Sequence, residues 1–326
     1  MKAITTNDRC FATTECAESL NTDGKEREEL DIAEVREALN FNIVKKQSYD
    51  ADGRKIPGQF HLVREDTNHF IPSVGVGERF APVQHLSIFD YVTNEIMPKV
   101  PGMKLEAAGT LHGCGTGLIV ANIGDAYRID GDDSPNNMRM FVSNPCNGYG
   151  SIILGFTAVR LWCQNQIPAA IRQTTTEGFK VRHTTNAEFY CEKTLNTIYA
   201  SILLAKEIRA KSEGMAKVNV NATFLNRVMN AIYPLSENFG EHGKTMREKH
   251  MSEVMAQFEG GETAQSIKGD TAWKLFNAFT YPIFNPKKIN KNTDKAQIVY
   301  SGALGDRSKK VKHIFDVIYN ETMMAA

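Results

Sequence analysis

The sequence lacks any apolar run close to the roughly 20 residues that a membrane-spanning helix needs, so we expect no contact with a membrane. The N-terminal segment MKAITTNDRCFATTECAESL has no hydrophobic core of a secretory signal. No C-x-x-C pair occurs among the six cysteines, a distribution that is typical of reduced thiols. These absences predict a cytoplasmic protein.

Signatures of several enzyme classes are also missing. The chain contains no G-x-x-x-x-G-K-[ST], no H-E-x-x-H and no G-x-S-x-G, which argues against ATP-driven, zinc-protease and α/β-hydrolase chemistry. Gly113, Gly115 and Gly117 form G-x-G-x-G, but an apolar strand follows where phosphate binding would need the start of a helix. We interpret this segment as a hairpin turn, predict no catalytic residue and expect no cofactor.

Possible metal ligands are few and poorly spaced. His112 and Cys114 lie two residues apart and Cys146 follows at a distance, which we interpret as a turn histidine and core thiols. The aspartates of residues 130–133 miss the spacing of a calcium loop and are expected to face solvent. We predict no metal site. A metal-dependent enzyme of nucleic-acid metabolism stays a third hypothesis that depends on this acidic loop.

The formal net charge is zero, but it is unevenly distributed. Residues 1–150 carry 15 basic and 22 acidic side chains, so the remainder of the chain has the opposite excess. Residues 287–313 alone hold eight Lys and Arg against two Asp. Such a local cationic field attracts nucleic acid even in a neutral protein. A solvated surface strip is the alternative.

Periodicity predicts an α+β fold, with an antiparallel β-meander in the first half packed by a long helix and a helical C-terminal half. Strands are predicted over residues 41–46, 59–64, 104–111, 118–123, 138–143 and 151–157. Helices are predicted over residues 26–39, 86–97, 186–212, 222–233, 244–258 and 271–281. We expect residues 124–137 to form an exposed loop. The predicted parts are an acidic segment 1–39, a β-rich core 40–184, a helical part 185–285 and a basic segment 286–326.

Two helices carry apolar side chains at helical spacing. The long helix repeats them at i, i+3, i+4, i+7 and i+8, which predicts one buried face made of Leu195, Ile198, Tyr199, Ile202 and Leu203. In the segment WKLFNAFTYPIF, aromatic residues recur every third position. We interpret that aromatic face as core rather than as a stacking platform.

Residues 158–184 place several cations around one Trp and one Cys in an otherwise apolar run. Because polar groups are costly to bury unpaired, the segment either forms a buried network or presents cations to an anion. We assign Arg160, Asn165 and His183 to a structural polar network. Candidate nucleic-acid contacts are Arg172, Lys180, Arg182, Lys287, Lys288, Lys291, Lys309, Lys310 and Lys312. Cations that protect a sheet edge from aggregation are the alternative for residues 180–182.

Five short motifs occur in order: GVGERFAPVQ (75–84), EAAGTLHGC (106–114), VRLWCQNQ (159–166), VRHT (181–184) and AWKLFNAFT (272–280). Together they resemble a phage- and plasmid-like family described only as a domain of unknown function. The resemblance covers roughly residues 70–285. It implies a phage or mobile-element origin, and therefore the cytoplasm of a host cell, without implying an activity.

Three functions are compatible with the sequence. The meander, the long helix and the missing ATP-binding loop are similar, at the level of the fold only, to phage single-strand annealing proteins. The first hypothesis is therefore a homo-oligomeric protein that binds single-stranded DNA without ATP and acts in strand annealing or recombination. The second is a phage protein that binds and modulates a host protein through its acidic half. The metal-dependent enzyme is the third.

Overall fold

The structure is a computed structural model of the 326-residue chain. It describes residues 4–6, 9–11, 30–111, 113–124, 127–134, 136–160, 166–169, 180–185, 187, 191–234, 241–285 and 306–325. Antiparallel sheets occupy the first half and helices the second, so the predicted α+β fold is confirmed. None of the helices in these ranges combines the length and the apolar composition needed to cross a membrane.

The strands and helices are numbered in chain order. The strands are β1 (Ile4–Thr6), β2 (Arg9–Phe11), β3 (Ile43–Tyr49), β4 (Lys55–Arg64), β5 (Phe70–Val76), β6 (Lys104–Leu111), β7 (Thr116–Asn122), β8 (Asn136–Pro145), β9 (Ile152–Arg160), β10 (Gln166–Ala169) and β11 (Lys180–Val181). The helices are α1 (Ile32–Ala38), α2 (His85–Tyr91), α3 (Cys191–Ala216), α4 (Ala222–Ile232), α5 (Glu241–Glu259), α6 (Glu262–Ser266), α7 (Ala272–Phe284) and α8 (Asp306–Ala325). A π-helical turn (Val92–Ile96) and a 3₁₀ turn (Met97–Lys99) continue α2.

The large sheet has eight strands in the order β1-β2-β6-β7-β8-β9-β10, with β11 also paired to β9. Every pair is antiparallel, as expected for a meander of hairpins. β10 pairs with the second half of β9, where Gln166 lies opposite Val159. β11 pairs with its beginning, where Val181 lies opposite Ile152. The two short strands therefore share one edge of β9.

The small sheet has three strands in the order β3-β4-β5. Its inner face packs against the turns that join β6 to β7 and β8 to β9, where Cys114 and Cys146 are buried in the same apolar cluster as Leu62 and Ile71. Val74 N donates to Asn147 O at 3.2 Å and fixes β5 to the second turn. The small sheet thus covers one end of the large sheet.

The helices cover one face of the large sheet. Apolar residues of β6 to β9 form one continuous core with α2 and with helices α3 to α8. The starts of α4 and α7 are capped as their sequences predict, because Asn221 accepts from Phe224 N and Thr271 accepts from Lys274 N. The α7 residues Trp273, Phe276, Phe279 and Phe284 are buried, which confirms their assignment to the core.

Two expectations from the sequence are wrong. The predicted buried face of α3 includes Tyr199 and Leu203, but these side chains are 47% and 65% exposed. The buried residues of α3 include Ile198, Ile208 and Met215 instead, so the helix is rotated away from its simplest apolar stripe. Residues 124–137 were expected to form an exposed loop, yet within them Ile129, Ser134 and Asn136 are buried.

Candidate nucleic-acid interface

The junction between the two sheets is built around a buried histidine. His85 begins α2 and packs over Gly117 of β7, where a side chain would lie 2.5 Å from His85 Nδ1. His85 Nε2 donates to the Cys114 carbonyl at 2.9 Å, and Nδ1 accepts from Asn144 Nδ2 at 2.9 Å. Both ring nitrogens are thus used by a neutral imidazole. Burial lowers the pKa of His85 to about 4.

Cys146 lies beside this histidine but is not arranged as a nucleophile. Its thiol donates to the Val83 carbonyl at 3.0 Å and lies 3.9 Å from His85 Nδ1. Burial raises the pKa of the Cys146 thiol, which keeps it protonated. Asn144 Nδ2 donates to the same Val83 carbonyl. The arrangement therefore stabilises the junction through neutral hydrogen bonds.

His183 attaches the segment 180–185 to this junction. Its backbone carbonyl accepts from Ala81 N, and its Nδ1 accepts from Val83 N at 3.1 Å. The imidazole is 4% exposed and stacks on Phe80 with 5.2 Å between ring centroids. Burial, with a smaller contribution from the charge of His85, lowers its pKa to about 4. His183 is therefore a neutral, buried group of the polar junction.

Arg182 faces solvent beside that buried histidine. Alternation along an extended chain accounts for the difference, since successive side chains point to opposite faces. If the β9–β11 register is extended by one residue, Arg182 lies opposite Ser151. Ser151 is two residues from Tyr149, whose side chain is 71% exposed. An exposed cation and an exposed aromatic residue thus lie at the same end of the β9 edge.

Helix α8 packs against β10, and its first turns are rich in lysine. Lys309, Lys310 and Lys312 are exposed in the first two turns of α8, and Lys312 forms an ion pair with Asp316 at 2.5 Å. Cations at a helix N-terminus oppose the helix dipole, so their position does not favour helix stability. The β9 edge therefore carries β11 and Arg182 at one end, and at the other β10 with α8 packed against it.

The side chains of the other predicted residues lie outside the part of the chain that the structure describes. The backbone of Arg160 ends β9, and that of Lys180 begins β11. Arg172, Asn165, Lys287, Lys288 and Lys291 lie outside the described residues. Of the predicted set, the structure therefore describes exposed side chains for Arg182, Lys309, Lys310 and Lys312.

The acidic loop of residues 130–133 has a structural role that the sequence did not reveal. Asp132 is 4% exposed, contrary to the expected solvent-facing position. Its carboxylate accepts from Trp273 Nε1 and from Ser134 N, each at 2.9 Å. Asp133 remains exposed and lies 3.9 Å from Lys268 Nζ. Across the described ranges, no group of three or more His, Cys, Asp or Glu side chains could hold a metal ion.

The small sheet carries exposed aromatic residues that were not predicted from the sequence. Phe70 is 54% exposed, and its ring lies 6.0 Å from that of His61. The composition of these strands is the feature of the sequence that could have drawn attention to this sheet. β3, β4 and β5 together contain four Lys and Arg and no Asp or Glu. Strand β5 was not predicted because it contains Pro72 and Gly75, and both residue types are uncommon inside strands.

The motifs GVGERFAPVQ, EAAGTLHGC and VRHT meet at this junction through Phe80, Cys114 and His183. No curated protein and no solved structure matches the chain. The family described as Domain of unknown function (DUF932) matches residues 74–302, which is more than half of the chain and includes the junction, the β9 edge and α7. The chain therefore belongs to the DUF932 family.

Proposed function

We propose that this protein binds single-stranded nucleic acid without ATP, along the β9 edge of the large sheet. The observation that carries the proposal is the shared position of β10, β11 and α8 on that edge. Single strands are held by cations that contact phosphates and by aromatic rings that stack on bases. The edge offers Arg182 and the lysines of α8 as cations, and Tyr149 as an exposed ring.

The local charge favours an anionic partner. Arg79 is exposed one residue before Phe80, whose ring stacks on His183. Arg182, next to His183 in the chain, is also exposed. Lys45 Nζ donates to the Glu78 carbonyl at 2.7 Å, which brings a third cation to the segment. The two segments that meet at the Phe80–His183 stack thus carry the exposed cations Arg79 and Arg182, and Lys45 is bonded to one of these segments.

The wider role follows from the same proposal. A protein that holds single strands without hydrolysing ATP would suit strand annealing or recombination, and assembly into an oligomer would lengthen its binding path. The motif resemblance favours a phage or mobile-element origin and action in the host-cell cytoplasm.

Fluorescence anisotropy with a labelled single-stranded oligonucleotide tests the proposal. Binding should weaken steeply as salt rises, with a log–log slope of about −0.7 for each phosphate contacted. Arg182→Ala should weaken binding roughly fivefold and make the slope shallower by about 0.7, as loss of one phosphate contact worth about 1 kcal/mol. The double variant Lys309→Ala/Lys310→Ala should lose more.

Lys104→Ala provides the matched control. Lys104 is exposed at the start of β6, three strands from β9 and therefore roughly 14 Å away. Its removal should leave both the affinity and the salt slope unchanged. The proposal is wrong if the wild-type protein binds no oligonucleotide at low salt, or if its binding does not respond to salt.

A host protein as the partner is the second candidate. Tyr199 and Leu203 favour it, because they expose apolar surface one helical turn apart on α3. Affinity capture from a host lysate, with and without nuclease, separates the two candidates. A partner retained after nuclease treatment but lost with Leu203→Glu would support protein binding, whereas loss of all partners with nuclease would exclude it.

A further inference from the structure

The outer face of the small sheet carries a cation and two aromatic rings on its three neighbouring strands. Lys46 of β3 lies opposite His61 of β4. Val63, two residues after His61, lies opposite Phe70 of β5. Lys46, His61 and Phe70 therefore project from the face opposite to the one that buries Leu62 and Ile71. We call these three residues the outer-face cluster.

The cluster is held in place while its rings stay accessible. Ser48 Oγ lies 3.4 Å from His61 Nδ1, and Lys46 Nζ donates to Asn68 Oδ1. The rings of His61 and Phe70 are tilted by 33° with 6.0 Å between their centroids. Phe70 remains 54% exposed, although a side chain of this size usually buries most of its surface. Its exposure leaves a ring surface for a partner.

The charge of the sheet indicates which partner fits. Lys46 is the cation beside the two rings, whereas Lys45 and Arg64 alternate onto the inner face, where Arg64 forms an ion pair with Asp66. Exposed rings beside a lysine complement a nucleobase attached to a phosphate backbone. They do not complement a basic peptide, which Lys46 would repel, or a purely apolar one, which would leave Lys46 partly desolvated.

We infer that the outer-face cluster stacks a nucleobase of the bound single strand on Phe70 and His61, with Lys46 beside the adjoining phosphate. This inference rests on the proposed function and adds a second contact region to it. β5 connects the two regions, because Val74 lies against Gly148 of the turn that carries Tyr149. Phe70 is four residues from Val74, or about 13 Å along the strand. A few nucleotides span that separation.

A stacking contact predicts an effect on affinity that differs from the effect of a phosphate contact. Phe70→Ala should weaken binding of a single-stranded oligonucleotide about 5- to 100-fold in fluorescence anisotropy, as loss of one stacked base does. The salt slope should stay as in the wild-type protein, because no charge is removed. Phe70→Trp should bind at least as tightly as wild type.

An oligonucleotide with abasic sites throughout keeps the phosphates and removes the stacking partners. Phe70→Ala and the wild-type protein should bind this probe equally. Leu203→Ala is the control for removing an exposed apolar side chain, since Leu203 is 65% exposed on α3, and it should leave binding of both probes unchanged. Because Phe70 is largely exposed, circular dichroism should show the variants folded.

The possible outcomes separate this inference from the proposed function. If the wild-type protein binds the oligonucleotide and Phe70→Ala binds it equally well, the stacking inference is overturned while the β9-edge proposal stands. If Phe70→Ala loses affinity equally on the abasic probe, stacking is also overturned. If Phe70→Ala instead changes only the sedimentation coefficient, the cluster is a protein contact and not a base site. Absence of any wild-type binding removes both proposals.

Discussion

The indole Nε1 of Trp273 donates a hydrogen bond to Oδ2 of Asp132 at 2.9 Å, and both side chains are buried. This bond joins the loop before β8 to the first turn of α7. Two backbone bonds reinforce it, from Lys268 N to Gly131 O and from Asp133 N to Ser266 O. The acidic loop thus attaches the helical half of the chain to the meander, which explains why an aspartate is buried there.

Asp132→Ala should lower the free energy of unfolding by about 2–4 kcal/mol, because it leaves the buried indole N–H and Ser134 N without their acceptor. Asp132→Asn should cost less, since its carbonyl oxygen can still accept. Urea denaturation followed by tryptophan fluorescence measures both. Asp130→Ala is the matched control, because Asp130 is exposed and its removal should change stability by less than about 0.5 kcal/mol.

The same variants examine the metal-dependent enzyme hypothesis. If Asp132 acted as a metal ligand, Asp132→Asn would abolish a metal-dependent nuclease activity without changing stability. The hydrogen bonds instead predict that every effect of the variant follows from its loss of stability. A metal-dependent activity that disappears in a fully folded Asp132→Asn protein would contradict this account.

Gly117 is required by the close approach of His85 to β7. A methyl group at this position would lie 2.5 Å from Nδ1 and 3.0 Å from Cγ of the imidazole. The ring cannot turn away freely, because both of its nitrogens are hydrogen-bonded. Gly117→Ala should therefore destabilise the protein by about 1–3 kcal/mol and lower its Tm.

Gly124→Ala is the control for Gly117→Ala in the same thermal-unfolding experiment. A side chain at Gly124 would meet no atom within 4 Å, and the residue is exposed. Its Tm should match that of the wild-type protein or exceed it slightly, since alanine restricts the unfolded chain. Equal Tm values for the two variants would show that His85 adjusts at little cost.

Local sequence patterns predicted the structural features that depend on residues close together in the chain. The hairpins of β6 to β9 and the caps Asn221 and Thr271 follow from turn and capping chemistry within a few residues. Burial of Asp132 depends on Trp273, which lies 141 positions later in the chain, so no local pattern reveals it. The exposure of Tyr199 could not be predicted for a similar reason. Apolar spacing identifies a face of α3 but does not show how the helix is rotated against its neighbours.

The candidate site was predictable only in part for the same reason. Charge in the sequence identifies Arg182 and the lysines of α8 individually. Arg182 follows a strand that pairs with β9, and the lysines belong to a helix that packs against β10. The exposure of Phe70 likewise depends on which face of the small sheet packs against Cys114 and Cys146. Such relations between distant segments appear only once the chain is folded.

Stability should depend on pH through the two junction histidines. Burial holds the pKa of His85 and of His183 at about 4, below the ordinary value of 6.5 that each has in the unfolded chain. Between pH 6.5 and pH 4 the unfolded state therefore binds more protons than the folded state. Stability is fully present above pH 6.5 and falls as the pH decreases toward 4.

Urea denaturation at a series of pH values measures this dependence. The wild-type free energy of unfolding should fall by up to about 3 kcal/mol for each histidine across that range. His183→Gln removes one titrating group, and its amide can still accept the hydrogen bond from Val83 N. Its pH dependence should be roughly half as steep as that of the wild type, even if its stability at pH 7 is lower. Parallel curves for the two proteins would show that protonation of His183 does not contribute to the pH dependence, because the variant has no imidazole at this position to protonate.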